Sequence, residues 1–258
     1  MKNLQNKKIW IIGASTGIGA ELAHQLAEEG AILALSARDE IKLEHVKNSL
    51  KGSNHQIFPL DVRNFDRVKE ISETLIKNNG LDSVIFMAAG YQPHQNAGYS
   101  DINIAKNIIE VNFIGALNIV HSVLPHFKNS ENQEKQIVLC ASVAGFRGLP
   151  SGQPYCATKA ALINYAESLA IENKNIDIKI INPGFVKTRL TDKNEFKMPF
   201  IISAEEAAKR IVKGLKSKCF EIHFPKRFTY IMKFIRIIPT CIYVPLMKVF
   251  TKNFNEKN

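Results

Sequence analysis

From Lys8 onward the chain alternates between short apolar runs and longer stretches in which apolar residues recur at helical spacing. Lys8 to Ile12 is the first run, and a glycine-rich turn follows it. From Gly17 to Glu29 the residues Ile18, Leu22 and Leu26 recur every four positions, marking one face of a helix. Ile32 to Ser36 predicts a second buried strand and Glu40 to Leu50 a second helix. Gln56 to Leu60, Ser83 to Met87, Gln136 to Ala141 and Ile176 to Ile181 supply four more strand candidates, separated by helical stretches around 65–79, 102–127 and 155–173. Ser203 to Lys216 opens with Ser203-Ala204-Glu205-Glu206, whose spacing suits a reciprocal capping box, and Phe220 to Phe224 predicts a last strand.

Strands alternating with helices of this length predict an α/β fold with a parallel sheet covered on both faces. Right-handed crossovers make it a single doubly wound, Rossmann-type sheet, with its ligand crevice at the carboxyl ends of the strands. No repeat, low-complexity linker or second domain is legible. Residues 1–224 are therefore expected to form one Rossmann-type domain, and 225–258 a C-terminal extension.

The length of 258 residues suits one large domain, and 45% hydrophobic with 22% charged residues argues against disorder. Cys140, Cys156, Cys219 and Cys241 lie far apart without a CxxC pair, so neither a metal nor a disulfide framework is expected. They read as small buried hydrophobes in a reducing compartment. The apolar run after Lys8 is too short for a signal-peptide core, which points to the cytoplasm. The net charge is +10, and from Pro225 to the end seven cations stand against Glu256, so six of the ten excess charges sit in the tail. A nucleic-acid partner would need basic residues on a known reading module, and none is legible here.

Gly13-Ala14-Ser15-Thr16-Gly17-Ile18-Gly19 lies between the first strand and the first helix. A tight turn needs residues without a Cβ, and a helix N-terminus offers unpaired N–H groups; together these suit a pyrophosphate. A plain glycine-rich loop is the bland alternative, but strand before and helix after are the context the motif requires. Ser36-Ala37-Arg38 closes the second strand with no acid at its tip. Folds that prefer NAD place a carboxylate there, whereas an Arg accommodates the 2′-phosphate of NADP. A solvated Arg at a strand end is the alternative.

Tyr155 and Lys159 are four apart on an expected helix, so they share a face. Ser142 ends a strand at the carboxyl edge, thirteen positions before Tyr155. An ammonium beside a phenol is expected to lower the tyrosine pKa from its ordinary value of about 10 toward working pH. Such a tyrosine can protonate the oxygen of a carbonyl that is receiving a hydride, while Ser142 holds the same oxygen.

These motifs resemble the short-chain dehydrogenase/reductase family from the glycine turn to about residue 190, roughly three quarters of the chain. The resemblance implies that Gly13, Ser15, Thr16, Gly17, Ile18 and Gly19 cradle the dinucleotide. Asp61 and Val62 would meet its adenine, with Ala89 and Gly90 beside it. It identifies Asn112, Ser142, Tyr155 and Lys159 as the catalytic set. Lys159 would hold the nicotinamide ribose beside Tyr155, and Asn112 would keep a water-linked proton path open to Lys159. In Asn182-Pro183-Gly184-Phe185-Val186-Lys187-Thr188, which is similar to the family's Pro-Gly segment, Pro183, Gly184, Val186 and Thr188 would line the nicotinamide. Arg38 resembles the basic residue of NADP-preferring members, which makes NADP(H) the implied cofactor and reduction the implied direction. Two departures stand out: Ile12 where the family has Thr, and Met87-Ala88-Ala89-Gly90 in place of Asn-Asn-Ala-Gly. The second removes side chains that stitch the central strand to its neighbours.

The tail departs further. A spanning helix would need about twenty mostly apolar residues, and Lys233, Arg236, Pro239 and Pro245 interrupt this stretch. One or two short basic, aromatic helices are expected instead. Over residues 225–254 they suit the surface of an anionic membrane, a lid on the substrate cleft, or a homo-dimer contact. A lid beside a membrane would receive a lipophilic or long-chain ketone. The alternatives are a reductase of 3-oxoacyl thioesters on an acidic carrier protein and a catalytically silent nucleotide-binding scaffold. The complete Asn112, Ser142, Tyr155 and Lys159 set speaks against the scaffold. Cys156 reads as packing, His94, His121 and His126 show no ligand spacing, and the loop Tyr91 to Ser100 is placed to line the substrate mouth.

Overall fold

Successive residues of strand β1 (Lys8–Ile12) face opposite sides of the sheet, and both sides are core. Ile9 and Ile11 enter one apolar cluster, Trp10 and Ile12 the other. A strand apolar on both faces belongs in the middle of a parallel sheet with helices above and below. The structure is a computed structural model and describes residues 1–91, 101–130, 134–189, 191 and 198–255.

β2 (Ile32–Ser36) and β4 (Ser83–Phe86) flank β1 in parallel, with Ile9 opposite both Leu33 and Ser83. β3 (Gln56–Ile57), β5 (Gln136–Cys140), β6 (Asp177–Pro183) and β9 (Glu221–Phe224) complete seven parallel strands in the order β3-β2-β1-β4-β5-β6-β9. The order reverses between β1 and β4, which opens the crevice at their carboxyl ends. Leu22 and Leu26 of α1 (Gly17–Glu28), Leu43 of α2 (Glu40–Ser49) and Ile211 of α7 (Ala204–Leu215) pack in one cluster. Val68 of α3 (Phe65–Asn79), Ile119 of α5 (Gly115–Lys128) and Leu162 of α6 (Tyr155–Glu172) pack in the other. Beyond β6, β7 (Val186–Lys187) and β8 (Ile202–Ser203) form a separate parallel pair.

Three expectations are revised. The third strand is shorter than Gln56 to Leu60: regular pairing covers Gln56–Ile57, although Phe58 N and Leu60 N still bond Leu35 O and Ala37 O at 2.9 Å, with Pro59 between them facing the open edge where a missing N–H costs no ladder bond. The stretch 102–127 is not one regular helix: α4 (Ile102–Ile109) passes through a π-helical turn, Glu110–Ile114, into α5. The α7 cap is one-directional: Ser203 Oγ accepts from Glu206 N at 3.1 Å, while the Glu206 carboxylate accepts from Arg210 Nε at 2.7 Å, an i,i+4 pair.

The tail forms two helices, α8 (Lys226–Ile237) and α9 (Thr240–Asn255), bent by 118° between them. Thr229 and Met232 of α8 and Tyr243 of α9 are buried against the domain, and Met232 joins the core cluster of α6. Among the described residues, Ile102–Lys128 is long and apolar enough to cross a membrane, and its Ile119, Val120, Val123 and Phe127 are core positions.

Candidate active site

The glycine turn has room for nothing larger. Gly13 sits at φ +92°, and a Cβ there would stand 2.7 Å from the Ala88 nitrogen. A Cβ on Gly19 would stand 2.0 Å from the Gly13 carbonyl oxygen. The turn therefore folds tightly against the end of β4 and delivers the start of α1 to the crevice. Thr16 at the N-cap of α1 is extended and makes no side-chain cap, which leaves the first N–H groups of the helix to a ligand.

The crevice is a cleft of about 860 Å³, and every site residue named from the sequence except Asn112 lines it. The glycine turn and Arg38 border the cleft together with Asp61 and Val62, as do Ala89 and Gly90. Ser142, Tyr155, Lys159, Pro183, Gly184, Val186 and Thr188 line the same cleft. Arg38 is exposed, whereas Asp39 next to it, unremarked in the sequence, is engaged. Its carboxylate accepts from Lys42 N at 3.1 Å as the cap of α2 and pairs with Lys42 Nζ, and that contact holds its pKa below the usual carboxylate range. Lys42 also lines the cleft, so its rim here carries two cations and one neutralised acid. Asp61 is paired as well, accepting from Arg63 Nε at 3.0 Å, and the Arg63 guanidinium lowers its pKa. No spacing signal in the sequence pointed to Lys42 or Arg63.

At the other end, Ser142 follows β5 and Tyr155 opens α6. The Ser142 hydroxyl hydrogen-bonds the Tyr155 phenol. Ala144 N donates to Ser142 Oγ at 3.1 Å, and that hydroxyl also reaches Pro183 O at 3.4 Å. Lys159 is fully buried; its Nζ donates to Cys140 O at 2.8 Å and lies 5.5 Å from the Tyr155 ring centroid. A Cβ on Gly145 would come within 2.6 Å of the Lys159 carbonyl carbon, so the turn after Ser142 packs directly on the α6 backbone. Tyr91 sets its ring edge-on to Tyr155 with centroids 5.1 Å apart.

The expected lowering of the tyrosine pKa is reversed. Tyr155 keeps a partly open face on the cleft, yet enough protein surrounds its phenol that burial pushes its pKa above the ordinary value. The Cys140 thiol adds to the rise, and the bond to Ser142 opposes it. Burial also pushes Lys159 down, because a desolvated ammonium is disfavoured. Desolvation is the largest cause of the shift in both groups.

Asn112 stands behind the cleft wall, fully buried in the π turn. Its Oδ1 accepts from Gly90 N at 2.6 Å, and its Nδ2 donates to Gly90 O at 3.0 Å and Thr158 Oγ1 at 3.1 Å. It thus positions residues that line the cleft. At the departure Met87-Ala88 the backbone ladder still runs to the end of β4, where Met87 N donates to Ile12 O at 2.7 Å. Cys156 is buried in packing. His121 meets the Phe65 ring at 5.7 Å and His126 is exposed, both outside the cleft, while His94 and the rest of the loop after Tyr91 lie outside the described residues. No group of three His, Cys, Asp or Glu among the described residues is placed to hold a metal.

A family model described as short chain dehydrogenase matches residues 7–198. The chain is 34% identical over 224 residues to an 11-beta-hydroxysteroid dehydrogenase-like 3 protein of Arabidopsis thaliana, covering 83% of this chain and 72% of that one. It is 29% identical over 248 residues to an uncharacterized oxidoreductase of Myxococcus xanthus, covering 94% and 97%. Its fold matches a short chain dehydrogenase from Burkholderia cenocepacia in complex with NADP at a TM-score of 0.79, with 21% identity and coverage of 95% and 99%. An alcohol dehydrogenase from Thermococcus sibiricus complexed with 5-hydroxy-NADP matches at 0.77, with 26% identity and coverage of 85% and 96%. Seven parallel strands in this order, a glycine turn without room for a Cβ, and a family match over most of the length lead to one conclusion: the chain belongs to the short-chain dehydrogenase family.

Proposed function

We propose that the chain is an NADP(H)-dependent oxidoreductase that reduces a ketone, or oxidises the matching secondary alcohol, with Tyr155 as acid and base. One observation carries this reading: Ser142, Tyr155 and Lys159 line the same cleft as the glycine turn and Arg38. The cleft fits a dinucleotide by its cradle, which excludes a Cβ at Gly13 and Gly19, and by the uncapped start of α1. The paired Asp39 and the cations Arg38 and Lys42 favour a 2′-phosphate over free ribose hydroxyls, and the Thermococcus neighbour with its 5-hydroxy-NADP supports the same choice.

The nicotinamide, when bound, supplies or accepts the hydride. In reduction the Tyr155 phenol donates its proton to the carbonyl oxygen. The raised pKa keeps that proton in place until the oxygen gains charge. Ser142 presents its hydroxyl to the same oxygen while Ala144 N fixes its Oγ. An ammonium has three N–H donors; Lys159 gives one to Cys140 O, and the others would be available to hold the nicotinamide ribose. Catalysis by this set is positioning plus one timed proton.

The substrate is lipophilic in this reading. Phe228 stacks on Phe185 at 5.2 Å and faces Phe200 at 6.3 Å, an apolar wall beside the Pro-Gly segment. Relatives named for hydroxysteroid dehydrogenation fit an apolar substrate. The tail accompanies it as a peripheral, membrane-facing element. The second reading, a 3-oxoacyl thioester reductase on a carrier protein, draws on the net charge of +10, which suits an acidic partner.

Fluorescence titration with NADPH and NADH tests the cofactor, and turnover of Tyr155→Phe tests the chemistry. Tight NADPH binding with weak NADH binding, and a Tyr155→Phe variant that binds NADPH without turnover, are the expected results. Folded wild-type protein that binds NADPH but turns over no ketone would favour the silent nucleotide-binding scaffold, and folded protein that binds neither dinucleotide would overturn the reading.

A further inference from the structure

We propose that the outer faces of α8 and α9 dock on an anionic lipid surface, through Phe234 and Ile237 on the first helix and Leu246 and Val249 on the second. This rests on the membrane-facing reading of the tail and names its partner. On α8, Tyr230, Phe234 and Ile237 follow i, i+4, i+7 spacing and share one face; Phe234 is 66% and Ile237 74% exposed. On α9, Ile242, Leu246 and Val249 repeat that spacing, with Leu246 at 56% and Val249 at 61%. Apolar side chains scattered singly on a surface need no explanation, but two consecutive helices that each show an apolar stripe to solvent mark a contact. Other positions of the same helices, Thr229, Met232 and Tyr243, are already buried against the domain.

Charge selects the partner. Residues 225–249 hold five cations, Lys226, Arg227, Lys233, Arg236 and Lys248, and no acid. Lys233 pairs with Glu221 and Arg236 with Glu167, and Lys226, Arg227 and Lys248 are exposed beside the apolar stripes. A second copy of the chain docked tail to tail would bring the same cations together across a desolvated contact, and like charges there are costly. A bilayer interface with anionic headgroups offers both an apolar layer and the opposite charge. The 118° bend excludes one straight span, and two short helices with basic flanks and apolar stripes suit a position in the interface plane.

The corner between the helices is held by the substrate side of the domain. Arg147 donates to Ile238 O and, at 3.4 Å, to Ile235 O, and the Tyr243 hydroxyl donates to Gly148 O at 2.8 Å. Arg147 and Gly148 belong to the segment that joins Ser142 to Tyr155. Docking through the outer faces therefore sets the carbonyl-binding end of the cleft next to the lipid that dissolves its substrate.

The test is co-sedimentation of the full chain with phosphatidylcholine vesicles, with and without phosphatidylserine, combined with light scattering of the free protein. Wild-type protein is expected to pellet with the phosphatidylserine vesicles and to be released by salt. The double variant Phe234→Asp with Ile237→Asp is expected to lose binding by about tenfold or more, and Arg227→Glu with Lys248→Glu to lose its preference for phosphatidylserine. All four side chains are exposed and outside the cleft, so NADPH binding by these variants reports that they are folded. Absence of pelleting with either vesicle, equal binding to both, or a dimer that Phe234→Asp disperses would each overturn the proposal. NADPH binding and turnover of a water-soluble ketone without vesicles test the enzymatic reading separately, so failure of one is not mistaken for failure of the other.

Discussion

The side chain of Asn112 closes a two-bond clasp on the backbone of Gly90, accepting its N–H at 2.6 Å and donating to its carbonyl at 3.0 Å. A third bond runs from Nδ2 to Thr158 Oγ1, whose hydroxyl donates to the Tyr155 carbonyl at 2.7 Å. One amide thus ties the cleft wall after β4 to the first turn of the helix that carries Tyr155 and Lys159. The π turn that holds Asn112 is the kind of helix irregularity found at functional sites.

Asn112→Asp tests the clasp. The change sets an acceptor against the Gly90 carbonyl in a place closed to water. Leaving such buried groups unpaired costs about 1–3 kcal/mol, so the urea midpoint should fall with an unchanged m-value, and turnover should fall with it. A variant with the wild-type midpoint would show that water or another group satisfies Gly90 equally well.

Arg38→Asp probes the cofactor. A charge-assisted phosphate contact is worth about 1.5–3 kcal/mol, or roughly ten- to a hundredfold in affinity. NADPH should bind more weakly by that factor or more while NADH changes little, and an unaltered preference ratio in a paired titration would remove Arg38 from the phosphate site. Lys42→Ala should weaken NADPH less, because its ammonium is shared with Asp39.

Gly19→Ala addresses the cradle. The new methyl would lie 2.0 Å from the Gly13 carbonyl oxygen, a backbone atom that cannot swing aside. Either the turn opens and dinucleotide affinity is lost, or the strain lowers stability by about 1–3 kcal/mol. Calorimetric titration and thermal unfolding together separate the two. A variant that keeps both would mean that α1 shifts along its axis at little cost.

Much of this was legible in the residues. β1 reads as a central strand because both of its faces are apolar, and the Gly13, Gly17 and Gly19 spacing reads as a turn because strand and helix enclose it. Tyr155 and Lys159 share a helix face by periodicity alone. What stayed hidden depends on tertiary neighbours. The apolar period of 102–127 runs through the π turn, since one extra residue there leaves enough apolar positions on the buried side. Whether Asp39 is free for a ribose depends on where Lys42 folds back. The direction of the Tyr155 shift depends on how much protein surrounds the phenol, and no pairwise spacing carries that information.

Lys159→Met separates the cost of this site from its use. Lys159 is fully buried, and burial lowers its pKa from the ordinary 10.5. Between that lowered value and 10.5 the unfolded chain binds a proton that the folded chain does not. Stability therefore rises with pH through the window and is lost as pH falls through the folded pKa. Tyr155 shifts the opposite way, so its contribution is intact below its ordinary pKa of 10.0 and declines only above it. Between about pH 7 and 9.5 the tyrosine is silent, and the buried thiols Cys140 and Cys156, pushed above their ordinary 9.0, are present in both proteins, so the difference between the two curves reports the lysine. Methionine nearly preserves the volume and cannot take up a proton, although Cys140 O loses the donor it has at 2.8 Å. The variant should have no turnover at any pH. Its stability relative to wild type should improve as pH is lowered from 9.5 to 7, because only the wild type must then keep an amine neutral or bury a charge. Urea midpoints at the two pH values read this directly. Parallel curves for the two proteins would mean that Lys159 keeps its ordinary pKa in the fold, and the proton held on Tyr155 would then face a full positive charge.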